Sequence, residues 1–264
     1  MNIRFTYYPG GKRKALTMSY DDGREYDRRL VEIFDRYGIR GTFHLNSGRL
    51  GLPGYITRQE VADLYKNHEI SCHTVTHPFL ENLPAIGVVT EIINDRIQLE
   101  TLAGYPVRGM SYPFGTYNDQ VIELVRSAGM EYARTTRATA DFRLPDSFLA
   151  WHPTCHHAHD LGGLLDRFQN IRFPNLQLFY LWGHSYEFND NGNWEVIDDF
   201  CARAAGLDDT WLATNIEIVD YVNALRGLRC SVDMKMIHNP SACDVWIEAE
   251  DTPIMIRAGE TKKL

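Results

Sequence analysis

From residue 14 onward, short apolar runs rich in β-branched and aromatic residues alternate with longer stretches whose apolar positions recur every three or four residues. A strand buried on both faces reads as a continuous apolar run and its crossover helix as an amphipathic one, so the alternation predicts βα units around a parallel sheet. Strands are expected over 15–20, 41–46, 69–74, 109–112, 132–135, 176–182 and 210–213. Helices are expected over 25–37, 58–67, 91–103, 119–128, 161–168, 195–205 and 216–225, giving about seven βα units. Thr57 and Glu60 form a capping-box pair ahead of the second helix. Gly38, Gly104, Gly129, Gly206 and Gly227 stand where a left-handed residue would end a helix. Past Arg229 the period drops to two, over 230–237, 244–250 and 253–260. The chain therefore divides into a main α/β domain over 1–229 and a small antiparallel β segment over 230–264 packed on it.

Composition narrows the class. With 44% hydrophobic and 23% charged residues, the 264-residue chain has enough apolar surface for one large core. Its 35 acidic against 27 basic residues give a net charge of −8, which repels polyanions and argues against nucleic acid as a partner. No run approaches the ~18–20 apolar residues of a membrane span, and the first residues lack the apolar stretch of a secretion signal, so the expected location for the sequence as it stands is cytoplasmic, with an extracellular one as the alternative if a leader has been trimmed from it. Five cysteines, odd in number and without a CxxC, read as buried free thiols.

Candidate chemistry sits where predicted strands end, the edge of a parallel barrel on which sites are built. SYDDG (19–23) puts Asp21 and Asp22 side by side. Adjacent carboxylates repel, so a site that keeps both gives them different tasks, such as cation ligand and base; a solvated turn with an Asp N-cap is the other reading. HTVTHP (73–78) sets His73 and His77 four residues apart. They can converge on one ion if the backbone curls after His73, and a carboxylate from another strand end would complete a two-His, one-carboxylate set. LQLFYLWGHS (176–185) delivers His184 from an apolar wall, suited to a general acid near neutral pH. SYPFG (111–115) forces a tight turn whose backbone N–H groups can face an oxyanion, or which is an ordinary βα turn.

In that order and spacing, SYDDG, HTVTHP, SYPFG and LWGH resemble the motifs of the polysaccharide deacetylases, the NodB-like carbohydrate esterase group, over roughly 14–226. The resemblance implies a distorted (β/α)7 barrel and metal-dependent removal of an N- or O-linked acetyl group from a sugar or polysaccharide. It assigns Asp21 as general base, Asp22, His73 and His77 as ligands of one divalent ion, most simply zinc with cobalt, manganese or nickel as alternatives, and His184 as general acid. Phe114, through its backbone N–H, and Tyr112 fall on the oxyanion and substrate side. Two features depart from the pattern. Ser111 stands where the family carries an arginine paired with the base, and the acidic motif after the fifth strand is not evident. Arg134, sharing a strand face with Tyr132 and Thr136, is expected to supply the missing guanidinium. The histidine-rich stretch 151–160 reads as a loop over the cleft, with Trp151 as a stacking wall for a sugar ring, although a second metal site there is conceivable. A cyclic amide or imide hydrolase on the same barrel, or an inactive carbohydrate-binding relative, are the competing functions.

Overall fold

The computed structural model describes residues 3–172 and 174–264. After β1 (Ile3–Arg4) the chain enters the main sheet at β2 (Lys14–Asp21), all of whose residues are buried. There follow α1 (Asp27–Arg36), β3 (Gly41–Leu45), α2 (Val61–Leu64), β4 (Glu69–Cys72), α3 (Ala85–Ala103), β5 (Gly109–Ser111), α4 (Asp119–Ser127) and β6 (Tyr132–Arg134). The second half holds β7 (Cys155–His156), α5 (Leu161–Asn170), β8 (Gln177–Gly183), α6 (Ser185–Asp190), α7 (Glu195–Ala205), β9 (Thr210–Leu212) and α8 (Asn215–Arg226). The strands pair in parallel in the order β6-β5-β4-β3-β2-β8-β7.

Residues 151–156 turn this sheet into a distorted (β/α)7 barrel. At one end Trp151 N–H donates to Ala133 O and Thr135 N–H to Trp151 O, while at the other Cys155 and His156 pair with Leu181 and Trp182 of β8. The expected loop over the cleft is thus the closing strand. The segment expected over 210–213 is not in the ring: β9 pairs with the first half of β2, Lys14 to Leu16, on the edge whose second half carries β3. Other boundaries moved for local reasons. Helix α2 is only four residues long: Glu60 accepts the Thr57 N–H at 2.5 Å and pairs with Arg28 at 3.0 and 2.7 Å, but no side chain caps the helix, so only the Glu60 half of the expected box forms. Helix α3 starts earlier than its apolar period shows, at Ala85 behind Pro84.

Along β2 the side chains alternate. Leu16, Met18 and Tyr20 join the core under the helices, leaving Thr17, Ser19 and Asp21 to the barrel interior. Hydrogen bonds link several of these interior side chains: Thr17 Oγ1 donates to Asn215 Oδ1 at 2.8 Å and Tyr180 OH to Ser19 Oγ at 3.2 Å. At the floor, buried Glu69 accepts from Tyr132 OH at 2.7 Å, Thr42 Oγ1 at 2.9 Å and the Ile216 N–H at 2.9 Å, the last from the first turn of α8. A capping box of Thr214 and Glu217 starts that helix.

The C-terminal strands split between two sheets. β10 (Arg229–Cys230), β11 (Met236–His238) and β14 (Thr261–Lys263) form one, and β12 (Val245–Ala249) and β13 (Thr252–Ile256) join β1 in the other. Ile237, Val245, Ile247 and Ile256 share a core with Tyr8, Leu178 and Tyr180 of the barrel's lower half. All five cysteines are free; Cys72, Cys155 and Cys201 are buried, but Cys230 is exposed, contrary to expectation.

Candidate active site at the strand ends

At the ends of three of the strands that deliver the site the backbone bends sharply. Asp22 follows β2 at φ 80°, Thr74 and His77 follow β4 at φ 67° and 64°, and Phe114 follows β5 at φ 59°. Left-handed φ is uncommon for non-glycine residues, and such strain gathers where the surrounding structure must aim side chains.

Those bends bring Asp22, His73 and His77 together, with one ligand atom from each inside a mutual 4.8 Å. His73 Nε2 lies 3.8 Å from Asp22 Oδ1, and His77 Nε2 lies 3.9 Å from the same oxygen. Asp22 Oδ1 is buried and accepts no hydrogen bond among the described residues. Behind His73, Nδ1 sits 3.0 Å from the Ser111 carbonyl and 2.7 Å from its hydroxyl, which turns Nε2 inward as a ligand needs. Burial holds both imidazoles below their ordinary pKa, His77 at about 4 with His73 adding to the effect, so each is neutral at pH 7. The donor set, the orphaned oxygen and the fixed tautomer fit a divalent ion.

Asp21 stands beside this set, with Oδ2 3.8 Å from His73 Nε2. Arg134 Nη2 donates to Asp21 Oδ2, and Ser111 Oγ lies 3.2 Å from Oδ1. Ser111 and Arg134 are partners in the β5–β6 ladder, so the guanidinium arrives one strand over from the position where the family pattern has it. Arg134 is fully buried, its guanidinium 4.3 Å from the centre of the Trp182 ring. Burial alone would raise the Asp21 pKa; Arg134, then His73, His44 and His184, reverse that and hold the carboxyl below its usual range.

His184 is the N-cap residue of α6, and its Nδ1 lies 3.3 Å from Glu187 Oε1. Burial opposes protonation there, but Glu187, Asp21 and Asp22 outweigh it and raise the pKa. Sequence reasoning missed Glu187; a carboxylate three residues after a strand-end histidine, in the first turn of a helix, was its only signal. It also missed Asp95 of α3, which accepts from the Ser47 N–H at 2.8 Å and the His73 N–H at 3.0 Å and so anchors the backbone at His73.

Two expected substrate residues lie elsewhere. Trp151 is 1% exposed, packed edge-on against Tyr132, Phe148 and Tyr180, because a closing strand must fill the core beneath it. Tyr112 is also 1% exposed, with its hydroxyl given to Leu149 O at 2.8 Å. The exposed aromatic surface is instead Phe114, 47% exposed, stacked at 3.8 Å on Phe79, 43% exposed, and edge-on to His77 at 4.5 Å.

In fold and in the order of its motifs the chain is similar to the polysaccharide deacetylases. Residues 9–133 match the family model described as polysaccharide deacetylase. Curated relatives include a chitin deacetylase from Arthroderma benhamiae, 29% identical over 111 residues, 40% of this chain and 29% of that protein. Another is the peptidoglycan-N-acetylglucosamine deacetylase PgdA of Listeria monocytogenes, 26% identical over 113 residues, 42% of this chain and 23% of that protein. The chain spans half or less of the length of the curated relatives it matches. Among solved structures, a candidate polysaccharide deacetylase from Mycobacterium smegmatis superposes with a TM-score of 0.65 at 18% identity, covering 86% of this chain and 96% of that one. A CE4 family pseudoenzyme from Bacillus anthracis gives 0.52 at 17% identity, covering 80% and 66%. At these identities the structures speak for the fold. No helix among the described residues is long and apolar enough to cross a membrane.

Proposed function

We propose that the protein is a metal-dependent deacetylase that hydrolyses an acetyl group from an N-acetylated sugar unit. The observation that carries this reading is the convergence of His73 and His77 on the buried, unbonded Asp22 Oδ1, directly beside Asp21. A divalent ion held by Asp22, His73 and His77 supplies a Lewis acid for the acyl oxygen and a water of lowered pKa. Asp21, kept ionised by Arg134, takes the proton of the attacking water. His184, whose protonated form Glu187 favours, gives a proton to the departing amine nitrogen through Nε2, since Nδ1 faces the carboxylate. The backbone N–H of Phe114 is the candidate donor to the developing oxyanion. Phe79 and Phe114 offer an apolar face beside the ligands against which a pyranose ring can pack.

The test is metal analysis of the purified protein together with acetate release from N-acetylglucosamine oligomers, peptidoglycan fragments, acetylated xylan and, as a separate arm, ring opening of cyclic amides. Metal-dependent acetate release that disappears in Asp22→Ala is the expected result. Ring opening without acetate release would replace the reading with a cyclic amide hydrolase, and a metal-loaded protein inert in every arm would end it.

A further inference from the structure

Residues 151–160 hold four histidines that the site above does not use, and the barrel gathers two of them. His156 and His157 leave the closing strand on consecutive positions, and Glu187 of α6 reaches between them. Glu187 Oε2 lies 3.0 Å from His156 Nε2 and 2.7 Å from His157 Nε2, and the three ligand atoms share a mutual 4.8 Å. Gly183 makes room for this: a Cβ there would sit 2.0 Å from His157 Nδ1.

An ordinary ion pair would show aligned N–H···O bonds. Here Glu187 Oε2 is buried and takes no hydrogen bond of good geometry among the described residues, although two nitrogens are at contact distance. His157 Nδ1 is likewise buried and unpartnered. This is the pattern of Asp22, His73 and His77: one orphaned carboxylate oxygen facing two imidazoles. We propose that His156, His157 and Glu187 form a second divalent-cation site, zinc-like in its donor set, beside the general-acid histidine. Two adjustments accompany binding. Donors on one tetrahedral zinc ion, with bonds of about 2.0–2.2 Å, stand roughly 3.3 Å apart, so the cluster opens by a few tenths of an ångström. Ligation through Nε2 moves the His156 proton to Nδ1, so the exposed Ala158 N–H, now 3.2 Å from that atom, turns away. The same carboxylate faces His184 through Oε1, so an ion on Oε2 draws charge from the histidine and makes it a weaker base.

The experiment is a zinc titration of chelator-stripped full-length protein by equilibrium dialysis, repeated with cobalt to read its visible absorption. Wild type should bind two ions per chain and Asp22→Ala one, with the remaining ion lost in Asp22→Ala/His156→Gln. His156 is only partly buried, and a thermal melt confirms that this variant folds. Because the decisive comparison is made on Asp22→Ala, it stands whether or not the first site is catalytic. One ion in wild type and none in Asp22→Ala would overturn the second site and leave Glu187 as an ion-paired support for His184. An ion that survives His156→Gln in the Asp22→Ala background would equally overturn it.

Discussion

Asp21 at the rim of the barrel and Glu69 at its floor are both buried carboxylates facing the same interior, yet they are held in opposite ways. Asp21 has a guanidinium and three imidazoles around it and stays below the usual carboxylate range. Glu69 has only neutral donors and the first turn of α8, and burial outweighs them, raising it from 4.5 to about 7. At Glu69 the neutral hydrogen bonds hold the carboxyl group in place without offsetting its burial. At Asp21 a full opposite charge does offset it, and the chain spends its fully buried arginine at the rim.

The sharpest way to break this comparison is Asp21→Asn, which preserves shape but removes the proton acceptor. Turnover on an accepted substrate should fall by about 10² to 10⁴ with metal content unchanged; near-full activity would make the two carboxylates alike in being structural. Arg134→Met should come next. Losing the cation lets the Asp21 pKa rise by about 1 to 3 units, so the acidic limb of the pH–rate profile moves to higher pH. A buried ion pair broken on one side also lowers stability by roughly 3 to 5 kcal/mol, so the profile is read at a temperature where the variant is folded. An unmoved limb would show that Arg134 only packs.

Glu69→Gln tests the floor by its effect on stability. A carboxyl whose folded pKa is raised favours the fold when protonated, so its contribution is complete below pH 4.5 and is lost as pH rises through about 7. Wild type should therefore lose several degrees of melting temperature across that window, and the glutamine variant should lose less. A melting curve that falls equally in both would place the titration elsewhere. The smallest effect is expected outside the lumen, where Phe79→Ala should raise KM a few-fold with kcat almost unchanged, in line with about 0.5–1.5 kcal/mol for an aromatic contact. A loss of kcat instead would mean that the Phe79–Phe114 stack sets the turn itself.

The strands with long apolar runs were legible because burial on both faces leaves no polar position to confuse the period. The closing segment 151–156 was not, since its strand character is carried by Trp151, Thr154 and Cys155 among histidines and a proline. Its main-chain bonds, not its side chains, make it a strand. Misreading it turned Trp151 outward. Asp21, Asp22, His73, His77 and His184 were found as strand-end residues because that edge is a topological property that periodicity reveals. Glu187 and Asp95 stayed hidden because each acts from a helix, where a single acidic residue looks like any solvated one.

The pairing of Ser111 with Arg134 has a consequence for reading sequences. Partners on one rung of a parallel ladder send their side chains to the same face at the same height, so the two positions are equivalent addresses for a charge aimed at that level. Moving the guanidinium sideways by one strand erases it from a linear pattern and leaves the field at Asp21 in place. A short motif is the projection of a two-dimensional lattice onto one line. Searching barrel sequences rung by rung, with the neighbouring strand's residue allowed to stand in, would recover sites that a search along single strands discards as incomplete.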